Sequence, residues 1–206
     1  MRGLVFTPDF SYENAARKKG YSLICGVDEA GRGPLAGPVC AAAVILPENI
    51  NIDGLNDSKK LSVKKREELF DVITKNAIAY SVAFGTVEEI EEYNILNATY
   101  LAMNRAIDSL SVKPDYALID GNRVPTDIKV PCETIIKGDY KSASIAAASI
   151  LAKVTRDRLL IEYDKKYPQY NFGKHKGYGT KEHYDMIKTY GICKVHRPSF
   201  LKNVIK

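Results

Sequence analysis

The sequence contains no tryptophan, few cysteines and histidines, and no long run of apolar residues. The longest apolar run covers residues 39–46, whereas a helix that spans a bilayer needs about 20 such residues. Residues 1–20 also lack the apolar segment of a secretory signal peptide. We therefore expect a cytoplasmic protein that has no contact with a membrane.

The cysteines and histidines are spaced in a way that argues against a zinc or redox site. No C-x-x-C pair occurs among the four cysteines. His175 and His183 are not at the i, i+4 spacing of a helical zinc pair. We expect Cys25 and Cys40, which lie in apolar stretches, to pack as small hydrophobic residues. The three histidines are expected to face solvent or phosphate.

Basic residues are concentrated in the last part of the sequence, although the net charge of the protein is only +5. Residues 165–206 contain ten Lys or Arg against two Asp or Glu, and seven aromatic residues lie among them. Such a segment suits nucleic acid, because it offers both phosphate contacts and stacking surfaces. A solvated basic surface without a ligand is the alternative.

Hydrophobic periodicity and turn residues predict one α/β domain. The predicted strands cover residues 23–27, 39–46, 77–86, 115–121 and 132–139. The predicted helices cover residues 62–76, 87–110, 142–163 and 181–189, with N-caps at Ser62 and Thr180, a break near Asn94 and a stop at Gly191. Three leading strands with short links predict an antiparallel meander. Because the later strands follow helices, we expect a mixed sheet flanked by helices.

Acidic residues lie at the ends of two predicted strands. Asp28 and Glu29 follow the first strand, and Asp120 ends the fourth. If these strands are neighbours, the carboxylates meet at one end of the sheet. Adjacent side chains on a strand face opposite ways. Asp28 and Glu29 therefore reach one site only if the glycine-containing turn at residues 31–37 takes the chain out of strand geometry.

Asp157 is a fourth acidic candidate. It shares a helical stripe with the apolar residues Ile150, Val154 and Ile161. The stripe should face the body of the protein, where an unpaired charge is costly. The alternative is an i, i+4 ion pair with Lys153, or a pair with a neighbouring arginine.

Carboxylates without histidine or cysteine are ligands that suit Mg²⁺ or Mn²⁺. Such ions support phosphoryl chemistry, in which one ion activates water and another stabilises the leaving oxygen. The P-loop pattern is absent from the sequence. Phosphate would therefore be a ligand of both regions: it would bind the metal ion held by the acidic site, and it would bind the basic residues of the C-terminal segment directly.

Five sequence blocks resemble the ribonuclease HII family and occur in the family's order. They are GVDEAGRGPLAGPV (26–39), LNDSKKLS (55–62), LIDGN (118–122), IKGD with SIAAASILAKVTRDR (136–139 and 144–158) and HKGYGT (175–180). The resemblance spans roughly residues 21–199. The related ribonuclease HIII branch carries an additional N-terminal substrate-binding domain. We expect the HII branch, because few residues precede the first strand.

The resemblance implies a ribonuclease H-like mixed five-stranded sheet flanked by helices, with a C-terminal helical extension. It divides the chain into an N-terminal segment (1–20), a catalytic domain (21–165) and a basic extension packed on that domain (166–206). The N-terminal segment, with Tyr12 and Glu13, is expected to form a helix on the outside. A monomer is expected.

The resemblance also implies an endonuclease that cuts the RNA strand of RNA/DNA hybrids and cuts 5′ to single ribonucleotides in duplex DNA. Such enzymes leave 3′-hydroxyl and 5′-phosphate ends and need Mg²⁺ or Mn²⁺, with two ions expected during catalysis. Their implied task is the removal of misincorporated ribonucleotides and RNA primers. The residues that match the family's catalytic and metal-binding positions are Asp28, Glu29, Asp120 and Asp157.

Substrate contacts are implied for a further set of residues. At Gly31, Arg32 and Gly33 the backbone would approach the 2′-hydroxyl, and the arginine would bind phosphate. Tyr178 would pack against a sugar of the DNA strand. The alternatives are a turn required by the fold and a packing tyrosine. Phosphate contacts are also expected from Lys59 or Lys60, and from Lys137, Ser142 and Lys176.

Two other functions remain open at this point. A non-catalytic nucleic-acid-binding domain on the same fold predicts a missing carboxylate or a blocked site. Another two-metal nuclease or a strand-transfer enzyme of the superfamily would share the acidic residues but not the Gly-Arg-Gly turn. Cleavage or binding of all-DNA duplexes would favour these alternatives.

Overall fold

The computed structural model describes residues 7–48 and 50–202, and one five-stranded sheet lies at its centre. The strands are β1 (Ile24–Ala30), β2 (Val39–Ile45), β3 (Ala79–Gly85), β4 (Tyr116–Asp120) and β5 (Cys132–Ile135). The α-helices are α1 (Ser11–Lys18), α2 (Val63–Asn76), α3 (Val87–Asp108), α4 (Ala143–Lys166), α5 (Phe172–His175) and α6 (Lys181–Tyr190). None of these helices is long and apolar enough to cross a bilayer.

The sheet has the strand order β3-β2-β1-β4-β5. Strands β1, β2 and β3 form an antiparallel meander, whereas β4 lies parallel to β1 and β5 lies parallel to β4. The predicted mixed sheet is therefore confirmed. This order places the carboxyl ends of β1 and β4 side by side.

The helix boundaries follow local capping chemistry. The side chains of Ser62 and Thr180 accept backbone hydrogen bonds at the starts of α2 and α6. Asn94 interrupts α3 with a φ of 70°, and Gly191 caps the end of α6. These predicted boundaries are confirmed, because each depends on contacts within a few residues.

Helices cover both faces of the sheet. Helix α3 packs over one face, in a cluster that includes Ala41 and Met103. Helices α2 and α4 cover the other face, in a cluster that includes Leu151. A Cβ atom on Gly26 would lie only 2.1 Å from the backbone carbonyl carbon of Ser144. The missing side chain therefore lets α4 lie directly on β1.

Helix α1 confirms the expected N-terminal helix, but one of its side chains is part of the interior. Glu13 is buried, and its Oε1 accepts hydrogen bonds from the Ser142 hydroxyl at 2.7 Å and the Ser144 N–H at 2.9 Å. Helix α1 is thus tied to the N-terminus of α4, where the helix dipole favours a negative charge.

One apolar position of the predicted stripe on α4 is exposed. Ile161 is 41% exposed, whereas Ile150 and Val154 of the same stripe are buried. The buried stripe of α4 is therefore shorter than the sequence predicts.

The expectation that the histidines face solvent or phosphate is wrong. His175, His183 and His196 are all buried. The Nε2 atoms of His183 and His196 are 3.1 Å apart, and the rings of His175 and His183 stack with 4.3 Å between their centroids. Burial lowers the pKa of His183 and of His196 to about 4. These two rings are neutral at pH 7 and belong to the core.

The predicted packing of two cysteines is confirmed. Cys25 and Cys40 are fully buried, and their thiols are free. Burial raises the pKa of each thiol to about 12. Neither sulfur is therefore a ready nucleophile or metal ligand.

Candidate active site

Three of the four predicted acidic residues come together at one edge of the sheet. Val27 of β1 pairs with Ile119 of the parallel strand β4, so Asp28 and Asp120 follow at the same level. Asp28 is 4% exposed, and its Oδ1 accepts a hydrogen bond from the Glu29 N–H at 2.7 Å. The convergence expected from the strand ends is observed.

The strand is not broken beside this pair, contrary to the expectation from the sequence. Strand β1 continues to Ala30, yet the charge of Asp120 acts on both Asp28 and Glu29. The Oδ1 of Asp120 accepts a hydrogen bond from the Gly138 N–H at 2.6 Å. The three carboxylates therefore come together because β4 lies beside β1. We had expected a distortion of the turn after β1 to bring them together.

The electrostatics of this edge favour a cation. Burial raises the pKa of Asp28 well above its usual range, and the charges of Glu29 and Asp120 raise it further. Burial also raises the pKa of Glu29, although Arg32 partly offsets the effect. The Nη1 of Arg32 lies 3.3 Å from the Oε1 of Glu29. A bound cation would stabilise the ionised carboxylates, because it removes their mutual repulsion.

Asp157 lies apart from the other three carboxylates. Its Oδ1 accepts a hydrogen bond from the Lys153 Nζ at 2.7 Å, and its Oδ2 is 4.0 Å from the Nη2 of Arg66. It is about 12 Å along α4 from Ser149, whose side chain lies close enough to Asp28 to affect the pKa of that carboxyl. The ion pair that was the alternative for Asp157 is thus present, and its metal-binding role remains a prediction.

The carboxylates are not arranged as a closed metal site. Within residues 7–48 and 50–202, no three acidic, histidine or cysteine side chains are grouped closely enough to hold a metal ion. The donor chemistry nevertheless fits a hard cation, since the converging groups are oxygen ligands alone.

Lys59, rather than Lys60, faces the acidic edge. Burial lowers the pKa of Lys59, but the negative charges of four aspartates have the larger combined effect and raise this pKa above its usual value. Asp139 contributes most among the four. The Nζ of Lys59 lies 3.6 Å from the Oδ2 of Asp139. The Nζ of Lys60 instead lies 4.4 Å from the centroid of the Tyr140 ring. Of the two lysines, Lys59 is the one placed to act at the site.

Two buried aspartates beside Lys59 were not predicted as part of the site. Asp57 is fully buried and accepts a hydrogen bond from the Lys59 N–H at 2.9 Å. Asp139 is nearly as buried. Burial, followed by the charge of Asp120, raises the pKa of Asp139 to about 6. The only sequence signal for these residues is their place in the LNDSKKLS and IKGD blocks.

The other residues predicted to contact phosphate differ in exposure. Lys137 is exposed and has a φ of 57°. Lys176 is half-buried, and its ammonium group donates to the carbonyl of Gly173. Ser142 is fully buried and caps α4, and its hydroxyl donates to Glu13. The predicted substrate contact of Ser142 is therefore wrong, because these structural contacts occupy its side chain.

The turn at residues 31–37 lies beside the acidic edge and packs against the HKGYGT block. The Leu35 N–H donates to the Gly177 carbonyl at 2.8 Å. A Cβ atom on Gly33 would lie 3.9 Å from the ring of Tyr178, which is exposed. The Gly-Arg-Gly turn and Tyr178 thus share one solvent-facing surface.

Two buried arginines hold this turn, and neither was predicted to do so. Arg156 and Arg197 are almost fully buried, although arginine ordinarily lies at the surface. Arg156 donates to the carbonyl oxygens of Ala36 in the turn, of Pro38 directly after the turn and of Lys176 in the HKGYGT block. A Cβ atom on Gly31 would lie 1.9 Å from the Nε of Arg156. Glycine is therefore required at this position.

A cleft of about 340 Å³ opens next to the carboxylates. It is lined by Glu29 and Asp120, by the polar residues Arg32, Asn122 and Arg123, and by side chains of α3. The cleft thus brings two arginines next to the acidic edge. This combination suits a phosphodiester, which needs cationic contacts around the reacting group.

The strand order and the acidic edge define a ribonuclease H-like fold. The ribonuclease H2 of Pyrococcus horikoshii OT3 is 29% identical with a TM-score of 0.74, over 89% of this chain and 97% of that chain. The ribonuclease HII of Archaeoglobus fulgidus, solved in complex with PCNA, is 27% identical with a TM-score of 0.68, over 85% and 94%. A ribonuclease HIII solved with Mn²⁺ has a TM-score of 0.65, over 86% and 65%, and its 18% identity shows the fold alone.

The sequence comparisons place the chain within one branch of this fold. The family model described as Ribonuclease HII matches residues 25–203. The ribonuclease HII of Caldicellulosiruptor saccharolyticus is 57% identical over 197 residues, which are 96% of each chain. That of Clostridioides difficile is 56% identical over 194 residues, 94% of this chain and 76% of the relative. The chain therefore belongs to the ribonuclease HII family and is an endonuclease of the ribonuclease H type.

Proposed function

We propose that this protein hydrolyses the RNA strand of RNA/DNA hybrids and cuts 5′ to single ribonucleotides embedded in duplex DNA. The observation that carries the proposal is the convergence of Asp28, Glu29 and Asp120 beside the Gly-Arg-Gly turn. The carboxylates suit phosphodiester hydrolysis, and the turn suits close contact with a 2′-hydroxyl. Its proposed tasks are the removal of misincorporated ribonucleotides and of RNA primers.

The acidic edge fits Mg²⁺ or Mn²⁺, with two ions during catalysis. Asp28, Glu29 and Asp120 would hold the cation, and the buried Asp139, whose pKa is raised by burial and by the charge of Asp120, is the fourth carboxylate near enough to join them. When bound, such ions supply a nucleophile from water and stabilise the leaving oxygen of an in-line displacement. The crowding of Asp28 by two other carboxylates supports this assignment.

The remaining residues bind and orient the substrate. The exposed backbone of the turn reads the 2′-hydroxyl, and Tyr178 packs on a sugar beside the cut. Lys59 and Arg32 bind phosphate, which requires Arg32 to move from Glu29 to the substrate. Addition of water to phosphorus with departure of the 3′-oxygen leaves 3′-hydroxyl and 5′-phosphate ends.

The first test is cleavage of a DNA duplex that carries one ribonucleotide, in Mg²⁺, in Mn²⁺ and in EDTA. We expect metal-dependent cutting 5′ to the ribonucleotide, and no cutting of an all-DNA duplex of the same sequence. Asp120→Asn should abolish cleavage. Asp53→Asn, at an exposed site outside the acidic edge, should leave it unchanged.

The outcomes separate the proposal from its two alternatives. Metal-independent binding without cutting would favour a non-catalytic nucleic-acid-binding domain. Cutting of the all-DNA duplex at a similar rate would favour another two-metal nuclease of the fold. Wild-type turnover in Asp120→Asn would refute the assignment of the acidic edge as the catalytic site.

A further inference from the structure

Arg197 is buried completely, and its guanidinium group is surrounded by the turn. It donates to the carbonyl oxygens of Gly31 at 2.7 Å, Arg32 at 2.9 Å, Pro34 at 2.8 Å and Gly37 at 2.8 Å. The backbone N–H of Arg197 also donates to a carbonyl of the turn. One side chain thus binds four of the seven carbonyl groups at residues 31–37.

This arrangement is an unusual use of a buried charge. Within residues 7–48 and 50–202, Arg197 has no carboxylate in ion-pair contact. A buried cation without a counter-ion is costly unless dipoles stabilise it. Burial and the nearby charge of Arg156 lower the pKa of Arg197 to about 9. The carbonyl dipoles of the turn therefore take the place of a counter-ion, and the turn is drawn towards the guanidinium group.

The position of these carbonyls determines where the adjacent N–H groups point. Each peptide unit is planar, and none is cis in the described part of the chain, so each N–H points opposite to the carbonyl of the preceding residue. Because Arg197 binds the carbonyls of Gly31 and Arg32, the N–H groups of Arg32 and Gly33 point away from it. Both residues are exposed, and neither N–H donates a hydrogen bond within the described residues.

We propose that Arg197 is a positioning residue that orients the Arg32 and Gly33 N–H groups towards the substrate and so determines the preference for a ribonucleotide over a deoxyribonucleotide. The inference rests on the proposed function, since it concerns the same turn. Arg197 does not touch the substrate, because its whole side chain lies beneath the turn. Its guanidinium fork suits this task, because it directs five donors at fixed angles.

The test compares Arg197→Lys with the wild-type protein. Lysine keeps the positive charge, but its ammonium group has only three donors and cannot reproduce the planar fork. Affinity is measured by fluorescence anisotropy in EDTA, for a duplex with one ribonucleotide and for the all-DNA duplex. We expect the preference for the ribonucleotide to fall by about ten-fold, because two positioned hydrogen bonds are lost. Affinity for the all-DNA duplex should change less than two-fold.

A matched control distinguishes positioning from general loss of charge or fold. Lys194→Ala removes an exposed basic residue of the same segment, so it should weaken binding of both duplexes by the same factor. A role of Arg197 in folding alone would also scale both affinities by the folded fraction and leave their ratio unchanged. An unchanged ratio in Arg197→Lys would therefore overturn the proposal.

A second measurement covers the case in which Arg197→Lys does not fold. Amide hydrogen exchange of the wild-type protein should be fast at Arg32 and Gly33. It should be slowed by the ribonucleotide-containing duplex and not by the all-DNA duplex. Slow exchange in the free protein, or equal protection by both duplexes, would overturn the inference. Wild-type cleavage at the ribonucleotide in Mg²⁺ would show that the proposed function still stands.

Discussion

Among single residues, Asp28 combines burial with two neighbouring negative charges. Burial and the charges of Glu29 and Asp120 raise its pKa, so the folded state holds a proton on this carboxyl more tightly than the unfolded state does. For an acid with a raised pKa, stability is lost as the pH rises from the unfolded pKa to the folded pKa. Without a cation, the protein at neutral pH therefore carries a cost at this position.

We predict that Asp28→Asn abolishes cleavage and stabilises the metal-free protein. The asparagine oxygen can still accept the Glu29 N–H, while the charge repulsion is removed. The expected gain is about 1 kcal/mol in the free energy of unfolding, typical of relieving an unfavourable site. Urea unfolding at pH 7 in EDTA measures it.

The comparison should be repeated with Mg²⁺ added. A cation that binds the folded wild-type protein stabilises it by mass action, so Mg²⁺ should raise the unfolding midpoint of the wild type more than that of Asp28→Asn. A lower midpoint for the variant in EDTA would contradict the view that Asp28 is destabilising without a cation.

Among the elements, the N-terminus of helix α4 is capped by a buried carboxylate from helix α1. Glu13 of α1 accepts hydrogen bonds from the Ser142 hydroxyl and the Ser144 N–H. Because α4 also contributes Ser149 beside Asp28, the position of its first turn affects the acidic edge. A helix is expected in the N-terminal segment, but that expectation does not show that a glutamate of this helix caps another helix.

We predict that Glu13→Ala costs about 2 kcal/mol, because it leaves a buried N–H without an acceptor. Glu13→Gln keeps an acceptor oxygen and loses only the favourable charge at the helix N-terminus, so it should cost less than about 1 kcal/mol. Asn14→Ala, at an exposed position of the same helix, is the control. Chemical denaturation at pH 7 measures all three, and equal losses in the two Glu13 variants would contradict the capping role.

On the scale of the whole molecule, the segment after α4 closes around buried neutral histidines. The Cys193 N–H donates to the Nδ1 of His196 at 2.9 Å, which assigns the proton of His196 to Nε2 and directs it at His183. The Nδ1 of His183 in turn lies 2.9 Å from the Tyr178 carbonyl. In the neutral form, every ring nitrogen of His183 and His196 already has a hydrogen-bond partner. A proton added to either ring would therefore lack an acceptor.

We predict that the protein loses stability as the pH falls from about 6.5 to about 4. Burial lowers the pKa of His183 and His196 to about 4, so in this window the unfolded state binds protons that the folded state does not. Each histidine contributes a loss of up to about 1.4 kcal/mol per pH unit. The free energy of unfolding at several pH values measures this slope.

His196→Asn provides the matched comparison, because the asparagine oxygen can accept the Cys193 N–H in place of Nδ1. The variant should start from a lower stability at pH 7 and show a shallower decline towards pH 4.5. The same slope in both proteins would mean that other groups, such as carboxylates, cause the acid sensitivity.

Much of this architecture could be predicted because its determinants are local or follow from strand topology. The caps at Ser62 and Thr180 depend on neighbouring residues. The meeting of Asp28 and Asp120 follows from the adjacency of two parallel strands. The burial of Arg197 and His183 could not be predicted, because their surroundings come from segments far apart in the sequence. A basic aromatic segment has the same composition whether it lies on the surface or closes over a core.

The hydrogen bonds of Arg197 join residues that are 160 to 166 positions apart. During synthesis on the ribosome, the strands that carry Asp28 and Asp120 emerge well before Arg197 does. The turn at residues 31–37 obtains its hydrogen bonds from Arg197 only when nearly all of this sequence has been translated. A nascent chain that still lacks Arg197 therefore cannot hold the turn in its finished shape.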